Sequence, residues 1–187
     1  MTERQANPAE LRKLRLRELC RDGGEDGQTL HWQCGYDLLP RLAATAQAAD
    51  ATAQFEAALT LGEHALPDGT RVPHAELAVG GDIALVCQRC LEPYVQPLAS
   101  RSAFVLVDSE AAADALFDAT SEDDEAPEPL VADRPLDAIT LMEDELLLAL
   151  PLVPRHATCP DSPATRALAR QEGTPSPFAV LTQLKKG

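Results

Sequence analysis

A series of apolar segments joined by short connections, between residues 53 and 107, constrains the fold most strongly. Residues 53–61 alternate apolar and polar side chains, as a half-buried strand does. Residues 76–87 and 94–107 are two further strand candidates, the first interrupted by a glycine pair that suggests a bulge. A Pro-Asp-Gly turn at 67–69 separates the first two strands. Because strands with short connections pair with their neighbours, we predict an antiparallel β-sheet arranged as a hairpin or meander.

The best helix candidate is residues 137–150, which makes the fold class α+β. Asp137 is a suitable N-cap, and Pro151 ends the segment. The apolar face should pack on the sheet and bury Leu146 and Leu150. The acidic residues at 143–145 are interpreted as a solvated helix face rather than as a catalytic cluster.

The remaining elements suggest one domain with two appendages. Residues 29–34 read as a strand, and 38–49 as a helix with Pro40 in its first turn. We therefore predict a single α+β domain over 29–160. Residues 1–28 should form a flexible segment, and 161–187 a tail that ends in a short amphipathic helix at 177–186. The basic residues of the first segment are Arg12, Lys13, Arg15, Arg17 and Arg21.

The chain is strongly acidic, with 30 Asp and Glu against 16 Lys and Arg and a net charge of −14. Nucleic acids gain affinity when Lys and Arg displace counterions, so this composition predicts weak binding to naked RNA. Residues 108–133 contain ten acidic side chains and no basic one. Their mutual repulsion predicts a mobile acidic loop. The alternative reading is that the loop attracts a basic partner.

Four residues form two pairs at metal-ligand spacing. Cys87 and Cys90 make a C-x-x-C between two predicted strands, and His156 and Cys159 make an H-x-x-C after the helix. Three thiolates and one imidazole would complete a tetrahedral structural zinc site. The alternatives are reduced cysteines packed at the sheet edge and a redox motif. The redox motif is disfavoured, because a thioredoxin-type C-x-x-C begins a helix.

Other catalytic patterns are absent from the sequence. No phosphate-binding glycine loop, H-E-x-x-H or G-x-S-x-G occurs. His31, His64 and His74 have no partner at ligand spacing. No apolar run approaches the roughly 20 residues of a membrane span, and no signal-peptide core follows the first charges. We therefore expect a cytoplasmic protein with reduced cysteines.

Three segments resemble the signatures of the YceD family of bacterial ribosome-biogenesis proteins. They read VCQRCLEP at 86–93, MEDELLLALPLVPRH at 142–156 and PFAVL at 177–181. They occur in the family's order, and residues 39–42 are similar as well. The resemblance covers roughly residue 29 to residue 187.

The resemblance implies a role in the synthesis, processing or stability of large-subunit ribosomal RNA. It also implies a partner such as a large-subunit ribosomal protein or an rRNA–protein assembly intermediate, and no catalytic residue. A non-enzymatic assembly factor is therefore the main hypothesis. The alternative is a metal- or thiol-dependent RNA-processing enzyme. A closed four-ligand site favours the first, because it leaves no coordination position for a substrate.

Overall fold

The computed structural model describes residues 2–23, 27–47, 52–65, 70–119, 127–161, 163 and 165–167. They fall into two compact units. The first consists of residues 1–84 and 95–150, and the second of 85–94 with the residues that follow 150. The predicted turn at 67–69 and the predicted C-terminal helix at 177–186 lie outside the described residues.

The described residues contain a six-stranded sheet in the order β1-β2-β3-β4-β5-β6. The strands are β1 Thr2–Gln5, β2 Gln28–Cys34, β3 Phe55–Ala65, β4 Arg71–Val86, β5 Pro93–Val107 and β6 Glu128–Val131. The helices are α1 Pro8–Leu11, α2 Leu16–Gly23, α3 Pro40–Thr45, α4 Glu110–Ala119 and α5 Ala138–Leu148. The predicted strands at 29–34, 53–61, 76–87 and 94–107 correspond to β2 to β5, and the α+β class is confirmed.

The sheet is mixed, so the prediction of an antiparallel sheet is only partly right. β2 pairs with β3, and β3 with β4, in antiparallel fashion. The two edge strands are different, since β1 runs parallel to β2 and β6 parallel to β5. A parallel neighbour requires a crossover connection. Helices α1 and α2 lie between β1 and β2 in the chain, and α4 lies between β5 and β6.

Residues 2–23 differ from the prediction of a flexible N-terminal segment. They form β1, α1 and α2, and the side chains of Leu11, Leu14 and Leu16 are buried. Leu14 also exchanges two backbone hydrogen bonds with Leu136, just ahead of α5. The leucine spacing fits no single long helix, but two short helices separated by a turn place these side chains inward.

The predicted acidic loop also contains regular structure. Residues Glu110–Ala119 form α4, and Glu128–Val131 form β6 on the edge of the sheet. Alanine is the strongest helix former, and the Ala-rich start of this stretch outweighs the spread of its acidic charges. The densest acidic part, 121–126, lies outside the described residues.

Alternating burial along the central strands defines the two faces of the sheet. Trp32 of β2, Leu59 of β3 and Leu77 of β4 are buried. The residues next to Trp32 along β2, and next to Leu77 along β4, are more exposed. The Trp32 indole Nε1 donates to the Met142 Sδ of α5 over 3.1 Å. The face that carries Trp32 therefore packs against α5.

Helix α5 begins as predicted and lies over the sheet with Leu146 fully buried and Leu150 partly buried. The Asp137 Oδ1 accepts hydrogen bonds from the backbone N–H groups of Ile139 and Thr140, so Asp137 is a true N-cap. None of the described helices is long and apolar enough to cross a membrane.

Two acidic residues of α5 are buried, so the interpretation of 143–145 as a solvated face is wrong for them. The Glu145 Oε2 accepts hydrogen bonds from the hydroxyls of Ser100 and Ser102 on β5, over 2.9 and 2.6 Å. The Glu143 carboxylate accepts hydrogen bonds from the Arg41 and Leu42 backbone N–H groups at the start of α3. Each buried carboxylate is thus satisfied by a specific neighbour, as burial of a charge requires.

Candidate metal centre

The loop between β4 and β5 carries the C-x-x-C pair as a compact knuckle. The Cys87 N–H donates to the Glu92 carbonyl over 3.0 Å, and the Leu91 N–H donates to the Cys87 carbonyl over 2.8 Å. Leu91 adopts a positive φ of 62°, which is uncommon for a residue other than glycine. The turn brings both cysteine side chains inward, and both are buried.

The second pair lies on an irregular segment that is hydrogen-bonded to this knuckle. The Gln88 N–H donates to the Pro154 carbonyl over 2.8 Å, and the His156 N–H donates to the Cys87 Sγ over 3.4 Å. Tyr94 also packs its ring against that of His156, with ring centroids 4.9 Å apart. Backbone and aromatic contacts therefore fix the H-x-x-C segment beside the C-x-x-C turn.

The structure brings together all four residues that the sequence singled out. The donor atoms of Cys87, Cys90, His156 and Cys159 lie within 4.8 Å of one another. The Sγ atoms of Cys87 and Cys159 are 3.7 Å apart, and the Cys90 Sγ is 3.3 Å from the His156 Nδ1. Ligands at the corners of a tetrahedron with Zn–S bonds of 2.3 Å are about 3.8 Å apart. The donor set and its dimensions therefore fit a tetrahedral metal ion.

The electrostatics of the two C-x-x-C thiols are opposite. Burial raises the pKa of Cys87, but N–H donors from Cys90, His156 and Arg89 outweigh it, and the pKa falls to about 5. For Cys90, burial and hydrogen bonding with the neighbouring thiols raise the pKa to about 11. The cluster thus holds Cys87 as a thiolate and Cys90 as a thiol. A divalent cation would permit deprotonation of all the cluster's thiols, because its positive charge stabilises the neighbouring thiolates.

Arg89 adds a positive charge to the outside of the cluster. Its Nε donates to the Cys159 Sγ over 2.9 Å, and this contact raises the pKa of the guanidinium. Hydrogen bonds to ligating atoms are typical of the outer shell of protein metal sites. Arg89 therefore places a positive charge beside the third sulfur of the cluster.

The surroundings of the C-x-x-C differ from those of a redox motif. Thioredoxin-type motifs begin a helix, whereas a strand precedes this pair and another follows it. None of the described cysteines forms a disulfide. Cys20 and Cys34 are buried elsewhere, in the first unit, where burial raises the pKa of both.

The histidines predicted to be without ligand partners remain outside the metal centre. The rings of His64 and His74 lie side by side on β3 and β4, with centroids 5.4 Å apart. Burial, followed by the neighbouring His64, lowers the pKa of His74. Among the residues that the structure describes, Cys87, Cys90, His156 and Cys159 form the single Cys, His, Asp and Glu group with metal-binding dimensions.

Comparison with known proteins supports the resemblance seen in the sequence. The family model for "Large ribosomal RNA subunit accumulation protein YceD" matches residues 75–185. A protein of that name from Haemophilus influenzae is 37% identical over 116 residues, which is 56% of this chain and 61% of the relative. The match thus spans less than two thirds of that relative's length. No solved structure matches the chain. Because the family model covers more than half of the sequence, including all four residues of the candidate metal centre, the chain belongs to the YceD family.

Proposed function

We propose that this protein is a non-enzymatic accessory factor that supports the accumulation of large-subunit ribosomal RNA through contacts with a protein or ribonucleoprotein partner. The match of residues 75–185 to the YceD family model carries the proposal. The name of the Haemophilus influenzae relative describes the same process.

We also propose that the metal centre holds zinc in a structural role. Three sulfurs and one imidazole nitrogen are the donor set of a closed structural zinc site. All four tetrahedral positions would be filled by protein, so a bound ion would have no position for water or substrate. The bound ion would then hold two irregular segments together. Small loops with little apolar core require a link of this kind to be stable.

The surface charges support a partner other than naked RNA. Within the described residues, three of the five N-terminal basic side chains already pair with carboxylates: Arg12 with Asp137, Arg15 with Glu18 and Arg17 with Asp108. A guanidinium held by a carboxylate has less to gain from a phosphate. The same holds for Arg89, which donates to Cys159. Arg155 is exposed but is a single charge on a chain of net charge −14.

Exposed apolar side chains of the second unit support protein contacts. Leu91, Leu152 and Val153 are all exposed, and Leu152 is as accessible as in an extended chain. Single exposed leucines are common, but several in one small unit are typical of an interaction surface. Hydrogen bonds join the two chain segments of this unit, and each of these apolar side chains lies within two positions of a residue that forms one of them.

The proposed role is tested by removing the protein from cells that naturally carry it. We expect the ratio of large-subunit to small-subunit ribosomal RNA to fall, and the wild-type chain to restore it. An unchanged ratio would contradict the proposal. Incubation of purified protein with precursor ribosomal RNA tests the enzyme alternative, since metal-dependent cleavage by the wild type but not by Cys87→Ser would replace our proposal.

A further inference from the structure

A groove lies on the sheet of the first unit, and we define it here as the sheet groove. It contains a cavity of about 610 Å³ and a second of about 560 Å³, which share Gln33, Glu56, Gly81 and Asp82. All residues that line the first cavity come from strands β1 to β5, and none of the residues lining either cavity comes from a described helix. The groove is therefore formed by the sheet and, at the second cavity, by the loop residues Tyr36, Ala53 and Gln54 as well.

The strand register explains why the sheet is hollow at this point. His31, Ala58 and Ala78 lie side by side on three neighbouring strands, and all three line the first cavity. The next row along the strands is Gln33, Glu56 and Gly80. Small residues at Ala58, Ala78 and Gly80 leave the space that larger side chains would fill. The polar residues beside them give the groove a hydrophilic wall.

Apart from His31, whose Nε2 lies 3.8 Å from the Glu3 Oε2, the charged side chains of the groove are acidic. Glu56 and Asp82 are exposed, and no Lys or Arg lines either cavity. Within the part of the chain that the structure describes, neither carboxylate takes part in a hydrogen bond or an ion pair. This differs from Glu76, on the same strand as Asp82, which pairs with Arg101 over 2.9 Å. Two unpaired carboxylates beside a floor of small residues favour a cationic ligand.

The dimensions fit an extended peptide. The first cavity is lined by five neighbouring strands, which at about 4.8 Å between strands corresponds to about 19 Å across the sheet. An extended chain rises about 3.3 Å per residue, so about six residues would cross it. Lys and Arg on such a segment would reach the carboxylates, while its backbone would pass over the small side chains.

We propose that the sheet groove binds an extended Lys- or Arg-rich segment of a protein partner. This inference rests on the proposed function, because it gives the docking site for the basic protein expected there. Acidic charge elsewhere on the chain would speed association, whereas the groove would give the complex its position.

A fluorescence anisotropy titration tests the proposal with purified full-length protein and a labelled peptide of alternating lysine and threonine. The groove variant is Glu56→Gln with Asp82→Asn. The matched control is Glu110→Gln with Asp114→Asn on α4, which removes the same charge from two other exposed side chains. We expect the groove variant to bind at least about fivefold more weakly than wild type, and the control to change by less than about twofold.

Equal losses in the two variants would overturn the proposal, since they would show attraction by net charge alone. Absence of peptide binding to the wild type would also overturn it. A third variant, Ala78→Trp, fills the floor without changing any charge and should weaken binding as well. If a labelled single-stranded RNA, titrated without the peptide, binds the wild type more tightly than the groove variant, the partner class is wrong. The assay contains no ribosomal component, so its failure removes the groove but leaves the RNA ratio in cells to decide the proposed function.

Discussion

The metal centre and the sheet groove show two opposite ways of placing ionisable side chains. In the metal centre, the thiols and the imidazole face one another, and Arg89 and backbone N–H groups stabilise them from outside. In the groove, Glu56 and Asp82 stand exposed and without a partner among the described residues. Groups satisfied within the chain contribute to its stability, whereas unsatisfied exposed groups are available to a ligand. The comparison predicts that substitutions in the first region change folding and those in the second change binding.

The largest effect is expected from removal of a metal ligand. Cys87→Ser should lower the zinc content of purified protein from roughly one ion per chain to near zero and loosen the second unit. Cys34→Ser is the control, because Cys34 belongs to the first unit and is not a member of the cluster, so zinc content should stay unchanged. Metal analysis measures the ratio, and proteolysis reports the loosening. Equal zinc content in Cys87→Ser and wild type would exclude Cys87 as a ligand.

Two carboxylates of the first unit, one buried and one exposed, allow the same comparison to be made for stability. Glu145→Ala leaves the hydroxyls of Ser100 and Ser102 without their buried acceptor and should lower the free energy of unfolding by about 2 kcal/mol. Glu56→Ala, at an exposed position, should change it by less than about 0.5 kcal/mol. Urea denaturation measures both. Similar values for the two variants would show that burial does not distinguish these carboxylates.

The opposite pKa shifts of the two C-x-x-C thiols predict how protons leave when zinc binds. At pH 7, Cys87, with a pKa of about 5, is already a thiolate, whereas Cys90, with a pKa of about 11, still carries its proton. Zinc binding should therefore release one proton from Cys90 and almost none from Cys87. Calorimetric titrations of the metal-free protein in two buffers of different ionisation enthalpy count the protons. Because Cys87 contributes almost none, the wild type should release fewer protons per zinc ion than its three ligand thiols, and release of three would contradict the assignment.

The same shift fixes the direction of a pH effect on the metal-free protein. In the folded chain the pKa of Cys87 lies below its ordinary value of 9.0. The contribution of the Cys87 thiolate to stability is therefore complete above pH 9.0. The contribution decreases as the pH falls towards 5, where the thiolate takes up a proton. Cys87→Ser should thus flatten the pH dependence of metal-free stability between pH 5 and 9, as thermal unfolding measures. An unchanged profile would show that Cys87 is not the low-pKa thiol.

The smallest effect is expected at Leu91, whose positive φ disfavours a side chain. Leu91→Gly should raise the free energy of unfolding by about 0.5 kcal/mol, because relief of strain exceeds the added entropy of the unfolded chain. Gln88→Gly, in the same turn but without a positive φ, should lower it by about 0.5 kcal/mol. A loss of stability in Leu91→Gly would mean that the leucine side chain contributes packing of its own.

The clustering of the Cys and His pairs was predictable from sequence because its signal is local. Two pairs of ligands at fixed spacing, one between strands and one after a helix, already restrict the geometry. The central strands were predictable for the same reason, through alternation within each segment. The parallel edges of the sheet were not, since β1 and β6 are only four residues each and pair across long connections.

The buried carboxylates and the groove required the structure. Glu143 and Glu145 belong to an acidic run that looks exposed in the sequence, and only the packing of α5 on α3 and β5 shows their partners. The groove depends on the register that aligns Ala58 with Ala78 and Glu56 with Gly80. Register is set by pairing between distant strands and cannot be read from one strand alone.

The central claim is that this acidic chain acts through a basic protein and not through naked RNA. A titration of purified protein against naked large-subunit ribosomal RNA, and in parallel against basic large-subunit ribosomal proteins, tests it most directly. We expect weak RNA binding that falls further as salt rises, and tighter binding to at least one of the proteins. Nanomolar binding to naked RNA that resists salt would contradict the account.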